Sequence, residues 1–436
     1  GVLNGQMQIS DTYGTQYIRV EEYKRPKFEV AIEHVKGAFR LNDKVTINGN
    51  AKSYAGAVID GAEVKYRVSR NARYNWWWWY YRGGAPTSAA MEIINGITKT
   101  KEDGTFTFDF NAIPDVSLSK EESPSFSYTV YVDVTDINGE TRSASYTLNV
   151  GYQSLMIDLD LPAQVNFTAK EEFNLSTKNL NGQEEVADIN VEVYLLQPNN
   201  RIIRNRLWNK PDKFILSEEE YLKKFPNDEY SDESSSMRFA RKEKIKKTLL
   251  STKEKVKINL PALGINKAGV YYLELSLKDK YGEEVKEERY IEVFNPDSKE
   301  LLKPCAEFFT VLKDKCEPGE KASYLIGSSY ENVEVLVEIE HENKIDKKEW
   351  IKLSNEQRVI EIPVLDKHRG NFAVHFTFIK NGRFYTHTQI ITVPHTNKQL
   401  DITFETFRDK LQPGQQEEWR LKIKDKKGDI VAAEMV

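Results

Sequence analysis

The fold is decided by a short stretch near the start of the chain, Val20-Glu21-Glu22-Tyr23-Lys24-Arg25-Pro26-Lys27-Phe28-Glu29-Val30. The residues before it, Gln8 to Val20, have the pattern of a strand pair that closes a domain. Pro26 fixes φ and has no N–H donor, so a strand ladder cannot simply continue through it. After it, Phe28, Val30 and Ile32 alternate with charged or small residues, which predicts a new strand. Two β-domains therefore meet with almost no flexible linker, and we expect them to pack end to end.

Length and charge narrow the class of protein. The chain has 436 residues, which suits roughly three domains rather than one core. Its net charge of -5 argues against nucleic acid as a partner, because phosphate binding needs a basic face. No apolar run approaches the ~20 residues of a membrane span, and no signal peptide opens the sequence. Since both ends have strand-like patterns, we expect this sequence to be an internal piece of a longer protein.

A pattern of strands recurs along the chain. Each complete copy has a Val-x-Val-x-Val strand and closes with a hairpin, whose turn falls at Asn138-Gly139, near Tyr281-Gly282, or at Asn381-Gly382. Asn-Gly between alternating strands is a strong hairpin signal, and we expect type I′ turns there. The sequence thus predicts an all-β fold of tandem antiparallel β-sandwiches. The predicted units are a closing hairpin (1–24), three whole sandwiches (25–152, 153–296 and 297–397) and the start of another (398–436).

The first insertion into this pattern carries six consecutive aromatic residues: Trp76, Trp77, Trp78, Trp79, Tyr80 and Tyr81. Four tryptophans in an extended segment cannot all face one core, because side chains alternate. The residues could form an exposed patch for a sugar, a peptide or a membrane interface. They could instead pack across a long hairpin or against a neighbouring domain, and we favour a domain contact because aromatic rings bury large areas.

The second insertion runs from Pro198 to about Lys247. Ser217 followed by three glutamates and two later lysines predicts a short helix with Ser217 at its N-cap, ended by Phe225-Pro226. The polar residues 227–241 are expected to form a mobile loop. The basic run 242–247 could bind phosphate or lipid, but beside an acidic run it is more typical of a solvated face.

No catalytic or cofactor-binding constellation is found in the sequence, which lacks a P-loop, a dinucleotide fingerprint, a GxSxG elbow and an HExxH helix. His375 and His387 share one hairpin and invite a metal site. A two-residue turn at Asn381-Gly382 would place them opposite Thr388 and Phe376 respectively, on opposite faces, so no shared metal is expected. Cys305 and Cys316 flank a predicted strand whose ends are ~30 Å apart. A disulfide needs about 6 Å, so we expect free thiols.

The junction around Tyr23, Arg25, Pro26 and Phe28 resembles the junction between successive macroglobulin-like domains of bacterial alpha-2-macroglobulins. Further stretches are also similar to that family, in the long form of Bacteroides-like bacteria: residues 60–68, the Tyr/Trp-rich insertion, residues 103–106, and the segments Pro413–Trp419 and Ala432–Val436. The resemblance implies immunoglobulin-like or fibronectin-type sandwiches of seven antiparallel strands, arranged in series. It implies no enzyme activity, cofactor or metal. Its partners would be neighbouring domains and, through regions outside this sequence, proteases.

The resemblance also implies a function. Family members trap proteases: a bait segment is cut, the body rearranges, and the attacker is held, often through a Cys-Gly-Glu-Gln thioester. That motif is absent, since neither cysteine is followed by Gly-Glu-Gln. We expect a central scaffold piece of a periplasmic or envelope protease inhibitor, lipid-anchored by an N-terminus outside this sequence, with the bait segment beyond residue 436. The alternatives are a thioester-less structural or interaction module, and an adhesin whose tryptophan loop binds carbohydrate.

Overall fold

The computed structural model describes residues 5–10, 15–20, 27–73, 90–120, 124–254, 256–406, 416, 418–426 and 428–429. Almost all regular structure in these residues is β-strand. Before the first sandwich, β1 (Gly5–Ser10) pairs with β2 (Thr15–Val20) as an antiparallel hairpin. This strand pair is where the sequence predicted a closing hairpin.

The first sandwich consists of a three-stranded sheet, ordered β3-β4-β7, and a four-stranded sheet, ordered β6-β5-β8-β9. The strands are β3 (Phe28–Ile32), β4 (Lys44–Ser53), β5 (Glu63–Arg73), β6 (Met91–Lys99), β7 (Thr105–Asn111), β8 (Ser125–Thr135) and β9 (Thr141–Gly151). The alternation on β8 explains the core: Phe126, Tyr128, Val130, Val132 and Val134 are all buried. Side chains of a strand alternate between faces, so this set forms one apolar face.

The second sandwich repeats this arrangement with one more strand. Its sheets have the orders β10-β12-β15 and β11-β17-β16-β13-β14. The strands are β10 (Leu155–Leu159), β11 (Gln164–Asn166), β12 (Phe173–Asn179), β13 (Asp188–Gln197), β14 (Ala240–Ser251), β15 (Val256–Ile258), β16 (Gly269–Lys278) and β17 (Glu284–Phe294). The extra strand, β11, is short and runs parallel to β17. With it this sandwich has eight strands, where the resemblance implied seven.

The third sandwich returns to seven strands, with sheets ordered β18-β19-β22 and β21-β20-β23-β24. The strands are β18 (Phe308–Lys313), β19 (Lys321–Ser328), β20 (Val333–His341), β21 (Lys344–Leu353), β22 (Glu356–Pro363), β23 (Phe372–Lys380) and β24 (Arg383–Ile391). A separate hairpin of β25 (Leu400–Thr406) and β26 (Arg420–Asp425) follows. The all-β prediction of tandem antiparallel sandwiches is confirmed.

The predicted helix in the second insertion is also confirmed. Helix α1 (Glu218–Lys224) starts at Ser217, whose side chain caps the Glu220 amide, and it ends at Phe225. None of its residues is buried, so local capping rather than core packing specifies it.

The hairpin turns differ in type. At Asn381 and Gly382 both φ angles are positive, so the predicted two-residue type I′ turn is confirmed. At residues 136–140 and 279–283 the loop has five residues, and of these only Gly139 and Gly282 have positive φ. The type I′ prediction, made for the Asn-Gly turns, is wrong at Asn138-Gly139, because the Asp136 carboxylate accepts from two backbone amides, those of Asn138 (2.9 Å) and Glu140 (2.8 Å). Such a carboxylate cap stabilises a longer turn.

Candidate functional site: the joints between the sandwiches

The first and second sandwiches are separated by residues 152–154 alone, and this short linker is held on the second sandwich. Ser154 is buried, and its amide and hydroxyl both donate to Asp279 Oδ2, at 3.0 and 2.8 Å. Asp279 also begins the five-residue loop 279–283, where its Oδ1 accepts from the amides of Tyr281 (3.0 Å) and Glu283 (2.9 Å). One carboxylate therefore forms the loop and fixes the linker.

A second loop, residues 179–183, also begins with a side chain that accepts two amides of its own loop, and it contacts the first sandwich. Asn179 Oδ1 accepts from the amides of Asn181 (3.0 Å) and Gln183 (3.1 Å), while its Nδ2 donates to Gly37 O at 3.2 Å. Asn181 and Asn149 exchange hydrogen bonds: Asn149 N donates to Asn181 Oδ1 (2.7 Å), and Asn181 Nδ2 donates to Asn149 O (3.1 Å). The Asn181 side chain thus pairs with the backbone of β9 as the backbone of a neighbouring strand would.

Tyr281 completes this joint. Its hydroxyl lies 3.0 Å from Ala38 O and 3.1 Å from Asp43 Oδ2, and the Arg40 guanidinium stacks 5.1 Å above its ring. Burial and the neighbouring Asp43 carboxylate raise the pKa of Tyr281 to about 12. Burial opposes ionisation of Asp43 as well, but hydrogen bonds from Arg40 and Tyr281 outweigh it and lower the pKa of this carboxyl. The joint is therefore polar and built from specific side chains.

The second and third sandwiches are joined by residues 295–307, which Gln357 holds. Gln357 is buried, and its side-chain Nε2 lies 2.9 Å from both Asn295 O and Ser298 O. Its backbone N–H donates to Lys299 O at 2.9 Å. Further along, Cys305 N donates to Ser329 Oγ at 3.0 Å. The longer linker is thus fixed along β22 and the end of β19.

The second insertion adds another contact across this joint. Arg204 Nη1 donates to Asn381 O (2.8 Å), and Arg383 Nη1 donates to Asn205 O (2.7 Å), so each side of the joint contributes one arginine. Ile202 packs against the core of the third sandwich, and Ile203 forms a parallel bridge with Cys305. The insertion therefore contacts the hairpin turn of β23 and β24.

The insertion is itself held together by three arginines, Arg201, Arg204 and Arg206. Arg204 Nε donates to Asp228 Oδ1 at 2.7 Å, and Arg201 Nη2 donates to Glu233 Oε1 at 3.0 Å. Burial acts to raise the pKa of Glu233, but three backbone amides and the charge of Arg201 prevail, so its pKa is lowered. These arginines bind carboxylates and carbonyls of residues 227–241, and the mobility predicted for this loop stays a prediction. The basic run 242–247 lies on β14, where Lys244 and Lys247 both pair with Glu192.

A cleft of about 370 Å³ lies between the insertion and the third sandwich. The charged groups that line it already have partners: Lys303 pairs with Glu292 (2.5 Å), and Glu307 with His387 (2.8 Å). Cys305, also in its wall, is a buried free thiol, and burial raises the pKa of this thiol to about 11. Paired charges and a buried thiol with a raised pKa are poor nucleophiles and bases. We therefore interpret the cleft as part of the joint and not as an active site.

The histidine register predicted from the sequence is confirmed. His375 lies opposite Thr388 and His387 opposite Phe376, so the two rings are on opposite faces. Each histidine instead bonds a glutamate at 2.8 Å, His375 to Glu340 and His387 to Glu307. The sequence did not reveal these partners, because Glu340 lies on β20 and Glu307 in the linker before β18. Among the described residues no cluster of three or more potential metal ligands is present.

Of the other predicted site residues, the structure describes only Phe28. Phe28 is fully buried in the core of the first sandwich. Tyr23, Arg25 and Pro26 lie outside the described residues, as does the aromatic run Trp76, Trp77, Trp78, Trp79, Tyr80 and Tyr81. Their roles stay predictions. In the part of the chain that the structure covers, no helix is long and apolar enough to cross a membrane.

Comparison with known proteins gives one family. Residues 308–432 match the family model of the alpha-2-macroglobulin bait region domain, which confirms the resemblance found in the sequence. No curated protein matches the chain at a significant level.

Solved structures of bacterial alpha-2-macroglobulins are similar over nearly the whole chain. The trypsin-activated protein of Escherichia coli shares 12% identity over 98% of this chain and 28% of its own, with a TM-score of 0.39. The methylamine-reacted protein of Salmonella shares 11% over 100% of this chain and 27% of its own, with a TM-score of 0.34. The chain spans about a quarter of the length of these proteins.

Proposed function

We propose that the chain is a scaffold segment of a protease trap of the bacterial cell envelope, a member of the alpha-2-macroglobulin family whose bait region domain model its residues 308–432 match. The observation that carries the proposal is the construction of the joints. Polar side chains fix both linkers, and an insertion crosses the second joint. A scaffold that holds domains in a set order needs such joints, whereas a string of independent modules does not.

In this role the segment transmits strain instead of performing chemistry. Burial raises the pKa of both thiols, Cys305 and Cys316, and the sequence contains no Cys-Gly-Glu-Gln motif, so a thioester would have to come from another part of the protein. The resemblance placed the bait segment beyond residue 436, whereas the family model named for the bait region domain matches residues 308–432. We therefore place the part of the chain that responds first to cleavage in the third sandwich and the β25–β26 hairpin.

The location and anchoring belong to the same proposal. A trap that meets foreign proteases would work in the periplasm or at the envelope, held there by a lipid at an N-terminus outside this sequence. Fractionation of cells that express the full-length protein tests this, since a lipid-anchored protein is recovered with membranes and released by detergent. Recovery in the cytoplasmic fraction would contradict it.

The decisive experiment uses the full-length protein. It is incubated with several proteases, with and without methylamine pretreatment, and resolved on denaturing gels. A high-mass adduct that methylamine abolishes is the expected result, and it would establish a covalent trap. Discrete cleavage after residue 307 without an adduct would favour a thioester-less member of the family. No discrete cleavage after residue 307 would contradict the trap and favour an adhesin, for which Trp77→Ala with Trp79→Ala should abolish carbohydrate binding.

A further inference from the structure

The second insertion contains an exposed segment, residues 207–216, that no contact of the joints uses. Residues 207–215 are all exposed and form the longest such run outside helices and strands in the described part of the chain. Several of the side chains are apolar: Leu207 is 74% exposed, Trp208 55% and Ile215 96%. Single exposed apolar residues are ordinary, but three within one short loop present recognisable side chains to a partner.

The backbone of this segment is also largely unpaired: among the described residues only Leu216 O has a partner, the Tyr230 hydroxyl. Among the described residues, none of 207–216 takes part in a hydrogen bond between two backbone groups, and no helix or strand includes them. A protein that binds an extended peptide does so by adding it as a strand, which requires unpaired N–H and C=O groups. Residues paired on both sides within a sheet cannot offer these groups, whereas most of residues 207–216 can.

The side chains fit several kinds of protease. A basic residue, Lys213, is followed by Phe214, and Leu207 and Trp208 supply aliphatic and aromatic alternatives. Lys210 is a poor candidate, because Pro211 follows it and its Nζ is bound to Ser231 Oγ (3.0 Å) and Asp232 Oδ2 (2.8 Å). For an enzyme that cuts after basic residues, the accessible bond is therefore Lys213–Phe214.

Both sides of that bond are attached to the same neighbouring stretch. On the N-terminal side, Arg206 Nη2 lies 2.6 Å from Ser231 O and 3.1 Å from Tyr230 O. On the C-terminal side, the Tyr230 hydroxyl donates to Leu216 O at 2.9 Å, and its ring packs 4.2 Å from that of Phe214. A cut between these attachments leaves each new end with its own contacts.

We propose that residues 207–216 are a protease cleavage site of mixed specificity, whose cut ends stay bound to residues 229–231. Hydrolysis breaks the bond between the Lys213 carbonyl carbon and the Phe214 nitrogen; water supplies the hydroxyl to the new carboxylate and the proton to the new amine. The attacking protease catalyses this step, and the chain is its substrate. The site is independent of the proposed trap function, because a chain that traps nothing can still be cut here.

Limited trypsin digestion of the protein, followed by mass mapping and N-terminal sequencing, tests the proposal. Among bonds of the described residues, Lys213–Phe214 should be the first cut, giving a new N-terminus at Phe214. Chymotrypsin should cut in the same segment, after Trp208 or Phe214. Lys213→Gln should abolish the tryptic cut and leave the chymotryptic cuts unchanged. The matched control, Lys280→Gln in the hydrogen-bonded loop 279–283, should change neither pattern.

Retention of the cut ends has its own measurement. The nicked protein should elute as one species in native size-exclusion chromatography, melt at the same midpoint as the intact protein, and separate into two fragments only under denaturing conditions. Earlier tryptic cuts within the strands or loops of the described sandwiches would overturn the site. Separation of fragments under native conditions would overturn retention. Neither result depends on whether the full-length protein forms an adduct with protease.

Discussion

Arg204 connects three separate parts of the chain. Its guanidinium contacts Asp228 Oδ1 through Nε (2.7 Å) and Nη2 (2.6 Å), and its Nη1 donates to Asn381 O of the third sandwich. Both charged side chains are largely buried, at 16% and 13% exposure. A charge left unpaired in such surroundings is costly, whereas an exposed ion pair contributes little.

Replacing Arg204 with alanine should therefore lower the free energy of unfolding by about 3 kcal/mol, because Asp228 remains buried without its partner. Denaturant unfolding followed by far-ultraviolet circular dichroism measures the change. The control is Lys321→Ala, which removes an exposed pair with Glu361 and should cost at most about 1 kcal/mol. Equal losses in the two variants would show that the insertion does not depend on this arginine.

Acid should weaken the same network through Glu233, whose pKa is lowered in the folded chain. A carboxyl with a depressed folded-state pKa contributes stability that is present above its unfolded pKa, near 4.5, and lost as the pH falls through the folded value. We expect the melting midpoint of the wild type to fall more steeply below pH 4.5 than that of Glu233→Gln. Thermal melts between pH 6 and pH 3 measure this, and parallel profiles would contradict it.

At the scale of single elements, helix α1 is capped by Ser217 and buries none of its residues. Ser217→Ala should destabilise the helix by about 1 kcal/mol, because the capping hydrogen bonds to the Glu220 backbone and side chain disappear. Since the helix buries none of its residues, global stability should be unchanged. Hydrogen–deuterium exchange should quicken at residues 218–224 only. Faster exchange throughout the second sandwich would mean that the helix supports its core.

The five-residue loops at 136–140 and 279–283 permit a matched comparison. Each begins with an aspartate that accepts two amides of its own loop, but only Asp279 also binds the linker residue Ser154. Asp136→Ala should cost about 1 kcal/mol and Asp279→Ala about 2 kcal/mol or more, because buried Ser154 is left without its acceptor. Denaturant unfolding of both variants gives the two values. If Asp136→Ala lowers the free energy of unfolding more than Asp279→Ala does, the contact between Asp279 and Ser154 does not add to stability.

Strands and turns differed in how far the sequence could predict them. The alternation of Phe28, Val30 and Ile32 predicts a new strand, and the structure has it in β3. The register at His375 and His387 followed from the Asn381-Gly382 turn. The turn at Asn138-Gly139 was placed correctly but given the wrong type, because the dipeptide does not disclose that Asp136 would cap the loop.

At the scale of the whole molecule, the joints were beyond the reach of sequence reasoning. Tyr281 and Asp43, or Arg204 and Asn381, are far apart in the chain, and no local pattern pairs them. A polar residue such as Gln183, whose Oε1 accepts from Gly37 N at 3.2 Å, has the same local pattern as any solvated turn residue. Sequence periodicity predicts the sandwiches, but partner identity across a joint depends on how they meet.

A scaffold requires joints that hold the three sandwiches in fixed relation, and spin-label distances test this most directly. With Cys305→Ser and Cys316→Ser as background, labels at Lys65 and Lys257 span the first joint, and labels at Lys257 and Lys321 span the second. All three label positions are exposed, on β5, β15 and β19. We predict one narrow distance distribution for each pair, which broadens across the second joint in Arg204→Ala. Broad distributions in the unaltered joints would contradict the scaffold.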